Sequence, residues 1–226
     1  MKILDKKYKV IALWFVVWLS VFGFYSLYLK PNAINYQDGG FELSAYFLIA
    51  SLIGVKLLNS FQLIRVKVES FKVIAILLAL FSIFIGLSTL TDYKFPVSEP
   101  RLLWFREIGV LFPFFSVTSV ISKSADIFFQ QALIISLVLK LREFGISDKQ
   151  NMKLFSVLFF LLHAPLIIVM SYSAFLFILP SIIAGLIFSY LILSFKNGVV
   201  YSVGVHLLFY YCLGIILRTI DLVNIT

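Results

Sequence analysis

Two glutamines, Gln130 and Gln131, stand side by side in FFQQALIISL, a stretch otherwise almost wholly apolar. The only two histidines lie in equally apolar surroundings, His163 in FFLLHAPL and His206 in VGVHLLFYY. Amides in such places donate and accept hydrogen bonds without titrating, whereas an imidazole can take up and release a proton near neutrality. Tyr210 follows His206 by one helical turn, so phenol and imidazole share a helix face, where the phenol could orient the imidazole or donate to an oxyanion. Pro165, just after His163, removes the amide that would bond the Leu161 carbonyl and loosens the helix beside the ring. Adjacent glutamines point about 100° apart on a helix, so both can face a bundle interior. Taken singly, each of these residues would serve as hydrogen-bonding glue between helices. Together, inside apolar runs, they read as a site.

The elements that position them are membrane helices. Of 226 residues, 62% are hydrophobic and 13% charged, where a soluble domain carries roughly 25% charged residues. The polar residues are too few to cover a soluble surface and cluster between long apolar runs. The net charge of +8 belongs to Lys and Arg flanking those runs, the place of topology signals and interfacial anchors. No basic patch interleaves with stacking aromatics on a polar domain, so nucleic-acid binding is not expected. The single cysteine, Cys212, allows no disulfide within one chain and reads as a small hydrophobe. The first apolar run is too long for a signal-peptide core and reads as a retained span.

At about 20 apolar residues per crossing, eight segments qualify, roughly 9–29, 43–64, 72–91, 103–122, 125–143, 152–170, 173–194 and 198–217. The expected fold is an all-α polytopic bundle forming a single transmembrane domain over residues 1–226, with 1–124 as scaffold and 125–217 as the core that carries the chemistry. Gly145 is a plausible helix stop, and SKSAD at 122–126 reads as a short break between the fourth and fifth spans. Lys2, Lys6, Lys7 and Lys9 before the first span argue for a cytoplasmic start, and Arg65, Lys67 and Lys72 fall on the same side. Lys140, Arg142, Lys149 and Lys153 conflict with strict alternation through eight spans. An even count would leave both termini in the cytoplasm.

The order of these polar groups resembles the CPBP intramembrane proteases, which include the CAAX prenyl endopeptidases and the bacteriocin-processing, Abi-like proteins. That family carries EExxxR, then FxxxH, then HxxxN or HxxxD on transmembrane helices. Gln130-Gln131 takes the place of the paired glutamates, Phe159 to His163 fits FxxxH, and His206 to Tyr210 occupies the last motif. KNGVVYSVGVHLLFYY, from Lys196, is similar to the family's approach to its last histidine. The resemblance covers about residues 125–217, and an eight-span plan fits it. It implies a hydrolase in which the first glutamate activates water while the histidines and last polar residue position water or stabilise an oxyanion. It also implies a lipid environment, a transmembrane or lipidated peptide as substrate or partner, and the plasma membrane of a prokaryote.

The departures bear on activity. Both glutamates are glutamines, Ile135 stands where the arginine would be, and Tyr210 replaces Asn or Asp. An amide cannot accept a proton from water and pass it on. Zinc takes His, Cys and carboxylate ligands, and two histidines leave it short of the usual three. The resemblance therefore points to a catalytically impaired homologue in which acid and arginine were lost together, leaving the bundle interior neutral. Two carboxylates could instead replace the lost acid. Asp126 lies one turn before Gln130 on the same face, although a helix cap at the membrane interface is its simpler role. Glu107 stands beside Arg106 inside an apolar run. A channel or transporter is a third reading, without the internal symmetry that would support it.

Overall fold

The computed structural model describes residues 2–36, 38–68, 71–97, 116–170 and 174–219. In hydrocarbon a backbone must satisfy its own polar groups, and a helix does so within one segment. The described elements are accordingly helices: α1 (Lys2–Phe24), α2 (Gly40–Leu57), α3 (Phe61–Val68), α4 (Phe71–Lys94), α5 (Val117–Glu143), α6 (Asp148–His163), α7 (Leu166–Met170), α8 (Phe175–Ser194) and α9 (Gly198–Thr219). A π turn and a 3-10 turn carry α1 on to Asn32. Among the described residues seven helices are long and apolar enough to cross a membrane: extended α1, α2, α4, α5, α6 with α7 to Ile168, α8 and α9. The fold is an all-α membrane helix bundle.

Three expectations change. Most of the span expected at 103–122 lies outside the described residues, and its last part is the first turn and a half of α5. SKSAD is not a break, because α5 runs through it without interruption. Ser122, Lys123 and Asp126 find partners inside the bundle, so local polarity does not end the helix. The run expected at 43–64 is divided. α2 stops at Leu57, Asn59 takes a left-handed conformation (φ 48°), and the amides of Asn59 and Ser60 close on the carbonyls of Lys56 and Val55. This is a Schellman stop, after which α3 begins.

α5 is the axis of the bundle. It is buried along nearly its whole length, with α2 its most extensive partner and α1, α4, α6, α8 and α9 around it. An aromatic core fixes the α1–α2–α5 corner. Phe129 packs against Trp18 at 5.6 Å and Phe47 at 5.8 Å between ring centroids. The Trp14 indole donates to the Leu133 carbonyl at 3.1 Å. Ser60 at the start of α3 donates to Ser136 on α5 at 2.7 Å. On the far side α6 and α8 approach so closely that a Cβ on Gly185 would sit 2.7 Å from the Ser156 Cα, which requires glycine there. α5 ends as its sequence suggests. Gly145 has φ +76°, its amide bonds the Arg142 carbonyl, and the Ile146 amide bonds that of Leu141.

The contacts fix the direction of each helix. α2 runs parallel to α5, since Gly40 lies against Thr118 and Gly54 against Leu133. α4 runs antiparallel to α5: its middle meets α5 through Phe81 and Phe128, and the Val97 beyond its end packs into the cluster that holds Val120. α9 runs parallel to α4, with Gly204 against Leu80 and Tyr211 bonded to Thr91. The end of α4 and the start of α5 therefore share one face, and α1 begins and α9 ends on opposite faces. The expectation that both ends of the chain lie on one side does not hold for these helices, because the number of crossings among the described residues is odd.

Candidate functional site

α5 has 27 residues and so extends about 40 Å, some 10 Å more than the hydrocarbon core it crosses. Ser116 caps its start, accepting from the Ser119 amide at 3.3 Å. Asp126 therefore lies well inside the helix and is fully buried, not at the interfacial cap expected of it. Gln130 is the middle residue of α5, so the amide pair lies near the membrane midplane.

The site has two parts. In the first, nearer the start of α5, the Lys123 ammonium donates to Asp126 Oδ2 at 2.5 Å. The Tyr36 hydroxyl donates to the same oxygen at 2.9 Å, and Gln130 Nε2 donates to Oδ1 at 2.9 Å. The ammonium lies 4.4 Å from the Tyr210 ring centroid and 5.2 Å from that of Tyr36, within cation–π range. Lys123 and Gln130 are also within hydrogen-bonding reach of the Tyr210 hydroxyl. Ser122 donates to the Tyr36 carbonyl at 3.1 Å, tying the α1–α2 connection over the pair. Burial, and then the Asp126 carboxylate, pushes the Tyr36 phenol well above its ordinary range, so it stays protonated and donates. The bundle interior is thus not emptied of charged side chains: among the described residues Lys123 and Asp126 pair there, three residues apart on α5.

In the second part, Gln131 Oε1 accepts from Ser202 at 2.7 Å, and Gln131 Nε2 lies 2.8 Å from His206 Nδ1. With its oxygen engaged by Ser202, the amide presents N–H to the ring. Nδ1 of His206 is then the acceptor and Nε2 carries the proton. His163 has the opposite arrangement, because its Nδ1 lies 2.7 Å from the Phe159 carbonyl, which can only accept. Nδ1 carries the proton and Nε2 keeps a lone pair. α6 ends at His163, with Pro165 just beyond, so the helix expected only to loosen there is interrupted before α7. Tyr210 stacks on His206 at 5.1 Å with 22° between the ring planes.

Both histidines and Tyr210 line one cavity of about 350 Å³ between α6, α8 and α9. Its other walls are mainly apolar, among them Phe159, Phe188 and Phe209. Leu179 and Ile183, also in the lining, are more than half exposed, so the rim opens toward the lipid-facing side of the bundle. Asp126, Gln130 and Gln131 do not line it. They stand behind His206 and Tyr210.

The structure thus brings together Gln130, Gln131, His163, His206, Tyr210 and Asp126. Glu107 lies outside the described residues. Sequence reasoning missed Lys123, Tyr36 and Ser202. The signal for Lys123 was present, as Lys and Asp at a spacing of three pair on a continuous helix. Among the described residues no three His, Cys, Asp or Glu side chains gather as a metal site. His163 offers one free imidazole nitrogen, and that of His206 carries a proton, so the pair falls short of three zinc ligands. No known protein family, curated protein or solved structure matches the chain.

Proposed function

We propose that this chain is a CPBP-type intramembrane peptidase homologue whose hydrolytic centre has been neutralised, and that it holds a transmembrane or lipid-bearing peptide without cutting it. The observation that carries this reading is the pair of histidines lining one lipid-accessible, otherwise mainly apolar cavity, each with its Nδ1 held from within the bundle, by the Gln131 amide and the Phe159 carbonyl. Imidazoles in such a cavity offer a peptide group hydrogen-bonding partners. No carboxylate is among the residues lining that cavity to take a proton from water, and Gln131 occupies the supporting position behind His206 where the family has an acid. Asp126, the displaced-acid candidate, is committed to Lys123, Tyr36 and Gln130. The resemblance to bacteriocin-processing and Abi-like proteins favours the plasma membrane of a prokaryote.

The test compares peptide termini by mass spectrometry in cells making wild-type protein or a His163→Ala/His206→Ala variant at matched membrane levels. Identical termini are expected, together with crosslinking of a peptide partner through a photoreactive residue at Phe209 that is lost in the double variant. Cleavage products present only with wild type would overturn the proposal and make the chain an active protease. Asp126→Asn and Glu107→Gln would then identify its acid.

A further inference from the structure

Among the residues whose side chains are described, the basic ones are not shared evenly between the two faces of the bundle. Helix directions bring the start of α1, the end of α2, α3, the starts of α4 and α6, and the turn before α9 to one face. Each contributes an exposed cation: Lys9, Lys56, Arg65, Lys72, Lys149 and Lys196. Among the described side chains, the acids that accompany them there, Glu143 and Asp148, are paired with Lys140 and Arg142. On the opposite face, Lys30 and Lys94 are offset by Asp38, Glu42 and Asp92. Exposed tyrosines mark both ends, Tyr8 and Tyr201 on the basic side and Tyr28 and Tyr93 on the other. Both ends are therefore interfacial, and only the charge tells them apart.

We infer that the basic face is a docking surface for anionic phospholipid headgroups of the cytoplasmic leaflet, which places the start of α1 in the cytoplasm and the end of α9 on the opposite side. Charge complementarity selects this occupant. Cations spread over six segments around a ring suit a sheet of headgroups, and each Lys or Arg near an anionic surface adds to retention. The same assignment removes the conflict over Lys140, Arg142, Lys149 and Lys153. They fall on the cytoplasmic side once α5 is one continuous span antiparallel to α4. The inference does not depend on the peptidase reading.

Two measurements test it on the full chain. Reporters fused at either end should give a fluorescent cytoplasmic reporter before Met1 and an active exported phosphatase after Thr226. Cytoplasmic signal at both ends would overturn the orientation. Native mass spectrometry from nanodiscs of equal phosphatidylcholine and phosphatidylglycerol should show phosphatidylglycerol enriched among retained lipids. In Arg65→Gln/Lys72→Gln that enrichment should fall by at least about fivefold, the loss expected from one surface cation, and by about thirtyfold where both contribute in full. Equal retention of both lipids by the wild-type protein would overturn the headgroup surface even if the orientation stands.

Discussion

α5 carries two polar constellations within three turns, and they handle the membrane in opposite ways. Lys123 and Asp126 pair one to two turns from the middle of the helix, sealed by Tyr36, Gln130 and Tyr210. Gln131, His206 and Ser202 lie at the midpoint, carry no net charge in the arrangement observed, and back onto a cavity. Charge is costly at the bilayer centre and cheaper toward its boundary, and a charge sealed from water needs its counter-ion. Enclosure by hydrogen-bonding partners sustains the ion pair inside the span. The ionic one holds the bundle together, and the neutral one is free to meet a ligand.

The sharpest way to break this contrast is to remove one charge. Lys123→Met or Asp126→Leu leaves a buried charge without its partner and should cost about 3–5 kcal/mol, read as loss of membrane-inserted protein and a lowered melting temperature in detergent. Lys123→Met/Asp126→Leu should recover most of that loss. A double variant no better than the singles would mean the pair does not act as a unit. A smaller effect is expected for Tyr36→Phe, which removes one hydrogen bond to a carboxylate, about 1.5–3 kcal/mol. The smallest belongs to the neutral part. Gln131→Leu should cost only about 0.6–1.7 kcal/mol but free His206 to exchange tautomers. In ¹⁵N spectra of ring-labelled protein, wild-type His206 should show its proton on Nε2 and His163 on Nδ1. The variant should change the His206 signals alone. A tautomer mixture at His206 in the wild type would defeat the assignment.

The neutral side chains were more legible in the sequence than the ion pair. Gln130, Gln131, His163 and His206 stand out because each is a polar residue inside an apolar run, whereas Asp126 stood out only by its spacing from Gln130, and Lys123 and Ser202 did not stand out at all. Lys123 and Asp126 sit in SKSAD, whose local polarity reads as a loop. What makes it helix is tertiary: Tyr36, 90 positions away, bonds the carboxylate, and Tyr210 covers the ammonium. The same limit explains the divided run at 43–64, since the Asn59–Ser60 stop is weak locally but is held by Ser136 across the bundle. Gly145 was readable because a left-handed position needs no distant partner. The tautomers of the two histidines follow from partners as far off as Gln131, beyond any reading of local spacing.

The position of α5 in the chain has a consequence for biosynthesis. It is the least apolar of the seven spans and the most enclosed, yet it emerges from the ribosome before α6, α8 and α9. Among the described residues, the shelter then available is the half-bundle of α1 to α4, which already offers Trp14, Phe47 and the Tyr36 hydroxyl. The first half of the chain would thus act as an intramolecular insertion chaperone for the helix that carries the site.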